Sequence, residues 1–512
     1  MPALWADIVA CIVALALYLH IRRVRSYRHL PPGPRKLPFI GNLLDIPTSL
    51  EWEVYARWGK EFNSPLLHLD VGGSTLIVIN SAKIAIDLLE KRSSIYSDRP
   101  DFPMLVDLMG YGWMMSAMHY GEPWKERRRL LQRHFHPSNA DVHESKEVEF
   151  THKFLVRLLD SPERFLGHIR HMAGGVTLSL AFGLDIDPDD DPYVKLAAEA
   201  VGTLTEAAIP GAFFVDVFPF LKYMPSSLPG AGFQKKAQVW RKQMETFHEE
   251  PFAAALRKIA SGTAEPSFTS LCMDVISEAK NPEQQMSAVK DTAGMFYAAG
   301  ADTTVSSIDT FFIAMVYYPE VQLAAQRELD AIVGRSRLPD FTDRPHLPYV
   351  TALMKEILRW QPVTPQGVPR RVMEDDIYEN YQFPAGTVFI PNAWAMLHDE
   401  EEYPDSLTFK PERFLKDGKL NPEVRDPASL AFGFGRRACP GSHIAQSTMW
   451  LTFASILSTF DVTAAVDKNG AKILPQLFYK SSIVSHPLPF QCTIKPRSSI
   501  AERVIRDTLM TH

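Results

Sequence analysis

Apolar and polar positions alternate through Leu66-Leu67-His68-Leu69-Asp70-Val71 and again through Thr75-Leu76-Ile77-Val78-Ile79, with Gly72-Gly73 between, which predicts a β-hairpin. Strand patterning returns at Thr387-Val388-Phe389-Ile390. Between these stretches, apolar residues recur at helical spacing through Trp124–Phe135, Asp291–Tyr318 and Val321–Val333. The expected fold class is therefore mainly α with a minor β region (α+β). No internal repeat divides the chain, and Asp187 to Asp191 reads as an acidic surface turn.

The N-terminus has a different pattern. Leu4 to Leu19 is apolar apart from Asp7, and Arg22, Arg23, Arg25 and Arg28 follow at once. About 20 residues cross a bilayer, so a spanning helix here must include Ala3, His20 and Ile21 or lean on snorkelling arginines. A cleaved signal peptide is the alternative, helped by Ala14-Leu15-Ala16. Such a peptide carries its positive charges before the apolar run, whereas here they come after it. A single-pass anchor is expected, with the arginine side and the body of the protein cytosolic. Leu30-Pro31-Pro32-Gly33-Pro34 then reads as a stiff, extended spacer, with an ordinary linker as the plainer alternative. The organisation expected is an anchor over 1–21, a basic and proline-rich hinge over 22–45, and one large domain over 46–512.

Composition narrows the function classes. A chain of 512 residues that is 46% hydrophobic and 22% charged can bury a large core. Its net charge of −6 argues against a nucleic-acid partner, which usually leaves a basic footprint over a domain. Cys11, Cys272, Cys439 and Cys492 are scattered without zinc-ligand or disulfide-framework spacing, so a reducing, cytosol-facing compartment fits.

Cys439 stands in Phe432-Gly433-Phe434-Gly435-Arg436-Arg437-Ala438-Cys439-Pro440-Gly441. Gly435 and Gly441 would let this loop turn tightly and approach a flat cofactor. Backbone N–H groups around the sulfur would favour its thiolate, and a thiolate ligand on iron favours O–O cleavage. A buried structural thiol is the commoner fate of a lone cysteine. The overlapping Gly433-Phe434-Gly435-Arg436-Arg437-Ala438 also fits a dinucleotide-binding pattern, but it follows no clear strand. Three further motifs bear on the choice. Ala299-Gly300-Ala301-Asp302-Thr303-Thr304 puts an acid–hydroxyl pair inside a long apolar helix, where it is costly unless used, and small Gly300 and Ala301 would leave room for a diatomic ligand. A kinked helix whose hydroxyls bond back to carbonyls is the alternative there. Glu356-Ile357-Leu358-Arg359 precedes Pro411-Glu412-Arg413-Phe414, and Trp124 and Arg128 are one helical turn apart, so they share a face.

Together these residues make the chain resemble the cytochrome P-450 family, whose cysteine loop has the residues found here at Phe432, Gly435, Arg437, Cys439 and Gly441. The resemblance runs from the proline hinge to the C-terminal β region. It implies a single large heme domain with heme b (iron protoporphyrin IX) as cofactor and Cys439 as the axial ligand of the iron. It further implies that Trp124, Arg128 and Arg437 contact heme propionates and that Asp302 and Thr303 form the proton relay for oxygen reduction. Glu356, Arg359 and Arg413 would form a buried network supporting the cysteine loop. Related fungal sequences commonly have His where Arg370 follows Pro369; Arg370 is the expected propionate contact, with Arg371 as the competing candidate.

The implied reaction is insertion of one atom of O₂ into a C–H bond of a hydrophobic substrate such as a terpenoid, steroid or polycyclic aromatic, in secondary metabolism or xenobiotic oxidation. Nothing in the chain supplies flavin or nicotinamide, so an NADPH-cytochrome P-450 reductase is expected, docking on Lys125, Arg127, Arg129, Arg133 and Arg436. The setting expected is the cytosolic face of the endoplasmic reticulum membrane, with membrane lipid as a further partner. Candidate substrate contacts are Phe102, Met104, Met109, Trp113, Met114 and Met115; Phe213, Phe214 and Phe218; Met295, Phe296 and Ala299; Val363 and Thr364; and Phe478. The rival readings are a heme-thiolate isomerase or dehydratase acting on a peroxide, and a heme sensor or carrier.

Overall fold

The structure is a computed structural model and describes residues 29–139, 141–187, 190–209, 211–276 and 281–510. The expected anchor over 1–21, the arginines that follow it and part of the Asp187–Asp191 turn lie outside these residues. Among the described residues no helix is long and apolar enough to cross a membrane.

The longer helices are α1 (Glu51–Glu61), α2 (Glu122–His134), α3 (Asp141–Asp160), α4 (Phe165–Phe182), α5 (Pro192–Ala207), α6 (Gly232–Ala260), α7 (Phe268–Ile276), α8 (Pro282–Tyr317), α9 (Pro319–Ile332), α10 (Pro348–Trp360), α11 (Ser442–Thr459) and α12 (Ser499–Asp507). Pro123, Pro192, Pro282, Pro319 and Pro348 each stand in the first turn of a helix, where a missing N–H forfeits no bond. Pro319 also ends α8, because the residue before a proline is pushed out of the helical region. Helices α4 and α11 are apolar nearly all round and buried along almost their whole length, as is α8 from Thr304 to Val316.

The expected hairpin is β1 (Leu66–Val71) and β2 (Ser74–Ile79), paired antiparallel, with Gly72 and Gly73 at positive φ in the turn. The expected strand near 387 is β6 (Val388–Pro391), and it pairs with β2 in parallel. After β2 the chain leaves this sheet for a long stretch that includes α2 through α10, and returns to it at residue 370 before running back as β6. Strand β3 (Arg370–Arg371) completes that sheet in the order β1-β2-β6-β3. The remaining strands are small: the hairpins β4 (Asp376–Tyr378) with β5 (Tyr381–Phe383) and β7 (Leu415–Lys416) with β8 (Lys419–Leu420), and the sheet β10 (Lys472–Ile473), β9 (Phe460–Val466), β11 (Cys492–Pro496).

The proline segment is docked rather than a free spacer. His68 donates its backbone N–H to the Pro32 carbonyl at 2.9 Å. A Cβ added at Gly33 would stand 2.2 Å from the His68 carbonyl oxygen, so only glycine permits this approach to β1.

Candidate active site

The cysteine loop closes on itself, with the Cys439 N–H donating to the Phe432 carbonyl at 2.8 Å. Gly433 and Gly435 sit at φ 75° and 51°, the left-handed region that favours glycine. A Cβ at Gly435 would also stand 2.6 Å from the Leu89 carbonyl oxygen. Gly441 does not share this role: its φ is −98°, and an added Cβ would meet nothing within 4 Å. The second turning glycine is thus Gly433. Cys439 is exposed at the loop surface, yet enough protein surrounds it for burial to push its thiol up. The Gly441 N–H and the Arg128 charge pull it down. Binding to a metal cation would complete the deprotonation.

Around this loop lies a cluster of guanidinium groups. Arg437 donates to the carbonyls of Ser97, Met115 and Met118 at 2.8, 3.0 and 2.8 Å, and stacks over the Trp124 ring at 4.5 Å. Arg370 donates to Leu89 and Phe434 carbonyls, and Arg128 to the Ala438 carbonyl at 2.7 Å. Arg99 donates to the carbonyls of Ser116, Val368 and Pro369. Burial pushes Arg370 down to about 9, with Arg437 adding to the effect, and Arg437 down to about 10. Burial likewise drives Arg99 well below its ordinary value, with Arg437 and Arg370 adding their repulsion. The nearest acid, Asp98, is already bonded to Arg371 at 2.7 Å. Buried cations bonded only to carbonyls are costly unless an anion joins them. These guanidiniums fit the two propionates of heme, beside the Cys439 sulfur that would hold its iron.

Strand geometry separates the two candidate arginines. Successive residues of a strand point to opposite faces, so β3 turns Arg370 inward to the cysteine loop and Arg371 outward to Asp98 and Asp101.

Thr303 donates its hydroxyl to the Ala299 carbonyl at 2.7 Å, the local bond available to any helical threonine. Asp302 turns away from that bond, with Oδ2 3.1 Å from His486 Nε2 and Oδ1 3.4 Å from Arg170. Burial raises the Asp302 carboxyl, but His486 and Arg170 outweigh it and hold it below its ordinary value. A Cβ at Gly300 would lie 2.3 Å from Thr177 Cγ2, so its smallness serves the contact between α8 and α4.

Glu356 accepts from Arg359 Nε and Nη2 at 2.7 and 2.8 Å and from Arg413 Nε at 3.1 Å, and Glu356 and Arg359 are fully buried. Arg359 also donates to the Leu397, Ser406 and Thr408 carbonyls, which ties α10 to the segment preceding the cysteine loop.

Other expected residues are placed differently. Arg127 is turned in against the buried Asp291 at 2.6 Å, with only 12% of its side chain exposed, and does not belong to a solvated basic face. Trp113 stacks on His248 at 4.1 Å, and Phe296 on Phe135 at 4.3 Å. Phe214 is 66% exposed. Sequence reasoning missed Arg99, Arg170, His486 and Asp309. Only Asp309 had a readable signal, since it stands seven residues beyond Asp302 and so shares its face of α8.

Residues 31–494 match the model of the family described as Cytochrome P-450. The chain is 45% identical to a cytochrome P-450 monooxygenase, ple1, of Rhodocybe pseudopiperita over 99% of this chain and 96% of that protein. It is 40% identical to cytochrome P-450 monooxygenase 98 of Postia placenta over 96% and 95%, and 40% identical to tryptamine 4-monooxygenase of Psilocybe cyanescens over 94% and 95%.

Proposed function

Because this chain belongs to the cytochrome P-450 family and is a monooxygenase by that membership, we propose that it inserts one oxygen atom from O₂ into a hydrophobic small molecule. Electrons would come from a separate NADPH-cytochrome P-450 reductase. The observation that carries this reading is the convergence of the Cys439 loop with the buried guanidiniums of Arg99, Arg370 and Arg437. When bound, heme b supplies the activation of O₂ that lets one atom enter a C–H bond while the other leaves as water. Cys439 holds the iron, Arg437, Arg370 and Arg128 hold the propionate end, and Trp124 backs Arg437 with its ring face. Asp302 and Thr303 hold and move the protons.

The substrate is a terpenoid, steroid or polycyclic aromatic, in secondary metabolism or xenobiotic oxidation. The printed substrate of the Psilocybe relative adds indole amines to the panel worth assaying. For the reductase, the supporting surface is the exposed Arg436 with Lys125, both lying against the Tyr120 ring, and the exposed Arg129 and Arg133 on α2. For the membrane, it is the apolar set of Phe39, Leu44, Phe214, Phe220 and Tyr223, all exposed. Gly41 pairs with Val71, and the Gly72 turn lies against Val217 and Phe218, so these segments are neighbours on the side where the chain enters the domain. The catalytic domain would rest on the cytosolic face of the endoplasmic reticulum membrane.

Co-expression with a reductase, followed by product analysis under ¹⁸O₂ on a terpenoid, steroid, aromatic and indole panel, should give NADPH-dependent products carrying one labelled oxygen. Turnover of preformed hydroperoxides, and none with O₂ and NADPH, would overturn the reading. The reduced, CO-bound protein should show the red-shifted Soret band of thiolate ligation, and Cys439→Ala should abolish it.

A further inference from the structure

Behind Asp302 stands a group that belongs to none of the sequence motifs. His486 comes from the C-terminal segment and is fixed there by its neighbours. Ser306 of α8 donates to the Ser485 carbonyl at 2.5 Å, Ser485 N–H donates to Val363, and Lys480 N–H donates to the His486 carbonyl. Its ring lies between two carboxylates of one helix face. Nε2 is 3.1 Å from Asp302 Oδ2, and Nδ1 is 3.9 Å from Asp309 Oδ2. The second distance is too long for a hydrogen bond, and Asp309 Oδ1 and His486 Nδ1, both buried, have no hydrogen-bond partner among the described residues. Asp302, His486 and Asp309 all line one cavity of about 470 Å³. Its rim includes the exposed residues Ala198, Gly202, Lys480 and Pro489, so it leads from the surface to this side of α8.

We propose that His486 is the proton-loading residue for Asp302, giving its Nε2 proton to the Asp302 carboxylate and regaining one from the cavity that both residues line. This deepens the monooxygenase reading and rests on it. The reaction consumes two protons for each O₂, so Asp302 must be reloaded within every turnover. An imidazole can release and regain a proton near neutral pH, which a guanidinium cannot. Loss of the Nε2 proton leaves the Nδ1–H imidazole, whose free lone pair is on Nε2, so a proton returned from the cavity to Nε2 restores the imidazolium and the ring carries no net change over a cycle. Asp309 lies on the Nδ1 side of the ring, where its carboxyl favours the Nδ1–H form that remains after each transfer.

The charged and titratable groups facing this ring are Asp302 and Asp309 from α8, Arg170 from α4, and Lys480 and Tyr479 from the C-terminal segment. Burial opposes a charged imidazole, but the two carboxylates outweigh it and lift His486 to about 9, so the ring is loaded at neutral pH. Burial raises Asp309, with Asp302 adding to it, beyond what His486 and Arg170 offset.

A purely structural ion pair would be served as well by a permanent cation, and that separates the two roles. In reductase-supported turnover of the holoenzyme, His486→Arg should keep the CO band and thermal midpoint while product formed per NADPH falls about 10-fold or more. The missing electrons should appear as hydrogen peroxide. Asp309→Asn should lower coupling less severely and should move the imidazole titration of His486 downward, read by ¹³C-histidine NMR on the reduced, CO-bound protein. A His486→Arg enzyme with wild-type coupling and pH profile overturns the relay, as does a wild-type His486 that titrates near 6.5. If His486→Arg does not fold, Asp309→Asn with unchanged coupling and unchanged titration overturns it. Wild-type protein with no NADPH-dependent O₂ consumption overturns the monooxygenase reading, and the relay with it.

Discussion

Substituting Glu356 by Gln isolates one charge in the most deeply buried ion network of the site. The wild-type carboxylate accepts four hydrogen bonds: two from Arg359 at 2.7 and 2.8 Å, one from the Lys410 N–H at 2.7 Å and one from Arg413 at 3.1 Å. Glutamine keeps the shape, but one of its two terminal atoms is a donor, so at least one guanidinium N–H meets another donor. Two arginines then share a fully buried site with no anion. Removing one partner of a buried pair costs about 3–5 kcal/mol, because the other charge stays uncompensated. A domain holds only about 5–15 kcal/mol in total, so a large share of stability is lost. The comparison is Glu61→Gln, which breaks an exposed pair with Arg57 at 3.6 Å and should cost under about 1 kcal/mol. Denaturant titration of the CO-bound Soret band, with thermal inactivation rates as a second readout, measures both. A Glu356→Gln penalty no larger than that of Glu61→Gln would refute the argument that this network holds α10 to the segment leading into the cysteine loop.

Three further outcomes are expected. Gly300→Ala forces a methyl to 2.3 Å from Thr177 Cγ2 and should cost about 1–3 kcal/mol of unfolding free energy. Thr177→Ser keeps the hydroxyl bond to Ala173 and removes that methyl, so the double variant should recover most of the loss; no recovery would mean the clash is not the cause. Arg370→Ala should speed heme transfer to excess apomyoglobin roughly 10- to 100-fold, from a lost charge-assisted bond of about 1.5–3 kcal/mol, while Arg371→Ala changes it much less. Equal effects would sink the assignment of Arg370 to the inward face. For His486 the folded value of about 9 lies above the ordinary 6.5, so its stabilising contribution is complete below pH 6.5 and is lost as pH rises through 9. The thermal midpoint should therefore fall more steeply between pH 7 and 9.5 in wild type than in His486→Gln, and parallel curves would count against the charged pair.

What could be read in the chain was whatever a short stretch specifies by itself. The hairpin at 66–79 came from alternation and a Gly-Gly turn, and the start of α2 was found within two residues from its periodicity. The cysteine loop and the Glu356–Arg359 pair could be picked out as motifs because their partners are three to seven residues apart, but alone they read as a structural thiol and a surface ion pair, and their roles came from the family resemblance. What escaped depends on residues that meet only after the long crossover between β2 and β6. Arg99 reaches Val368 and Pro369, and His486 reaches Asp302, across hundreds of positions with no local signal at either end. Gly300 illustrates a subtler failure. Small residues in an apolar helix announce a close approach, but not whether a ligand or a neighbouring helix makes it, and here it is Thr177. Arg127 failed for the same reason, since a basic residue beside basic residues reads as surface until Asp291 arrives from α8.

The charge layout of the molecule follows one physical rule applied with opposite signs at two places. Beneath the cysteine loop, Arg99, Arg370 and Arg437 are crowded into a region where burial and mutual repulsion all oppose their charge. On α8, Asp302 and Asp309 are crowded around a single imidazole and one partly exposed Arg170. The arginine grouping does not favour the fold, because desolvated like charges destabilise it and carbonyl hydrogen bonds repay only part of that cost. Each is sensible as a device for holding something else. Surplus buried cations bind a dianionic cofactor and favour a thiolate beside it, and surplus buried carboxylates keep a proton on a histidine that would otherwise be neutral. Among the described residues the two groups share no ion pair, so the negative charge that loads His486 does not cancel the positive charge that holds the propionates. Merging the groups into neutral pairs would give a more stable polypeptide with neither a cofactor clamp nor a proton store.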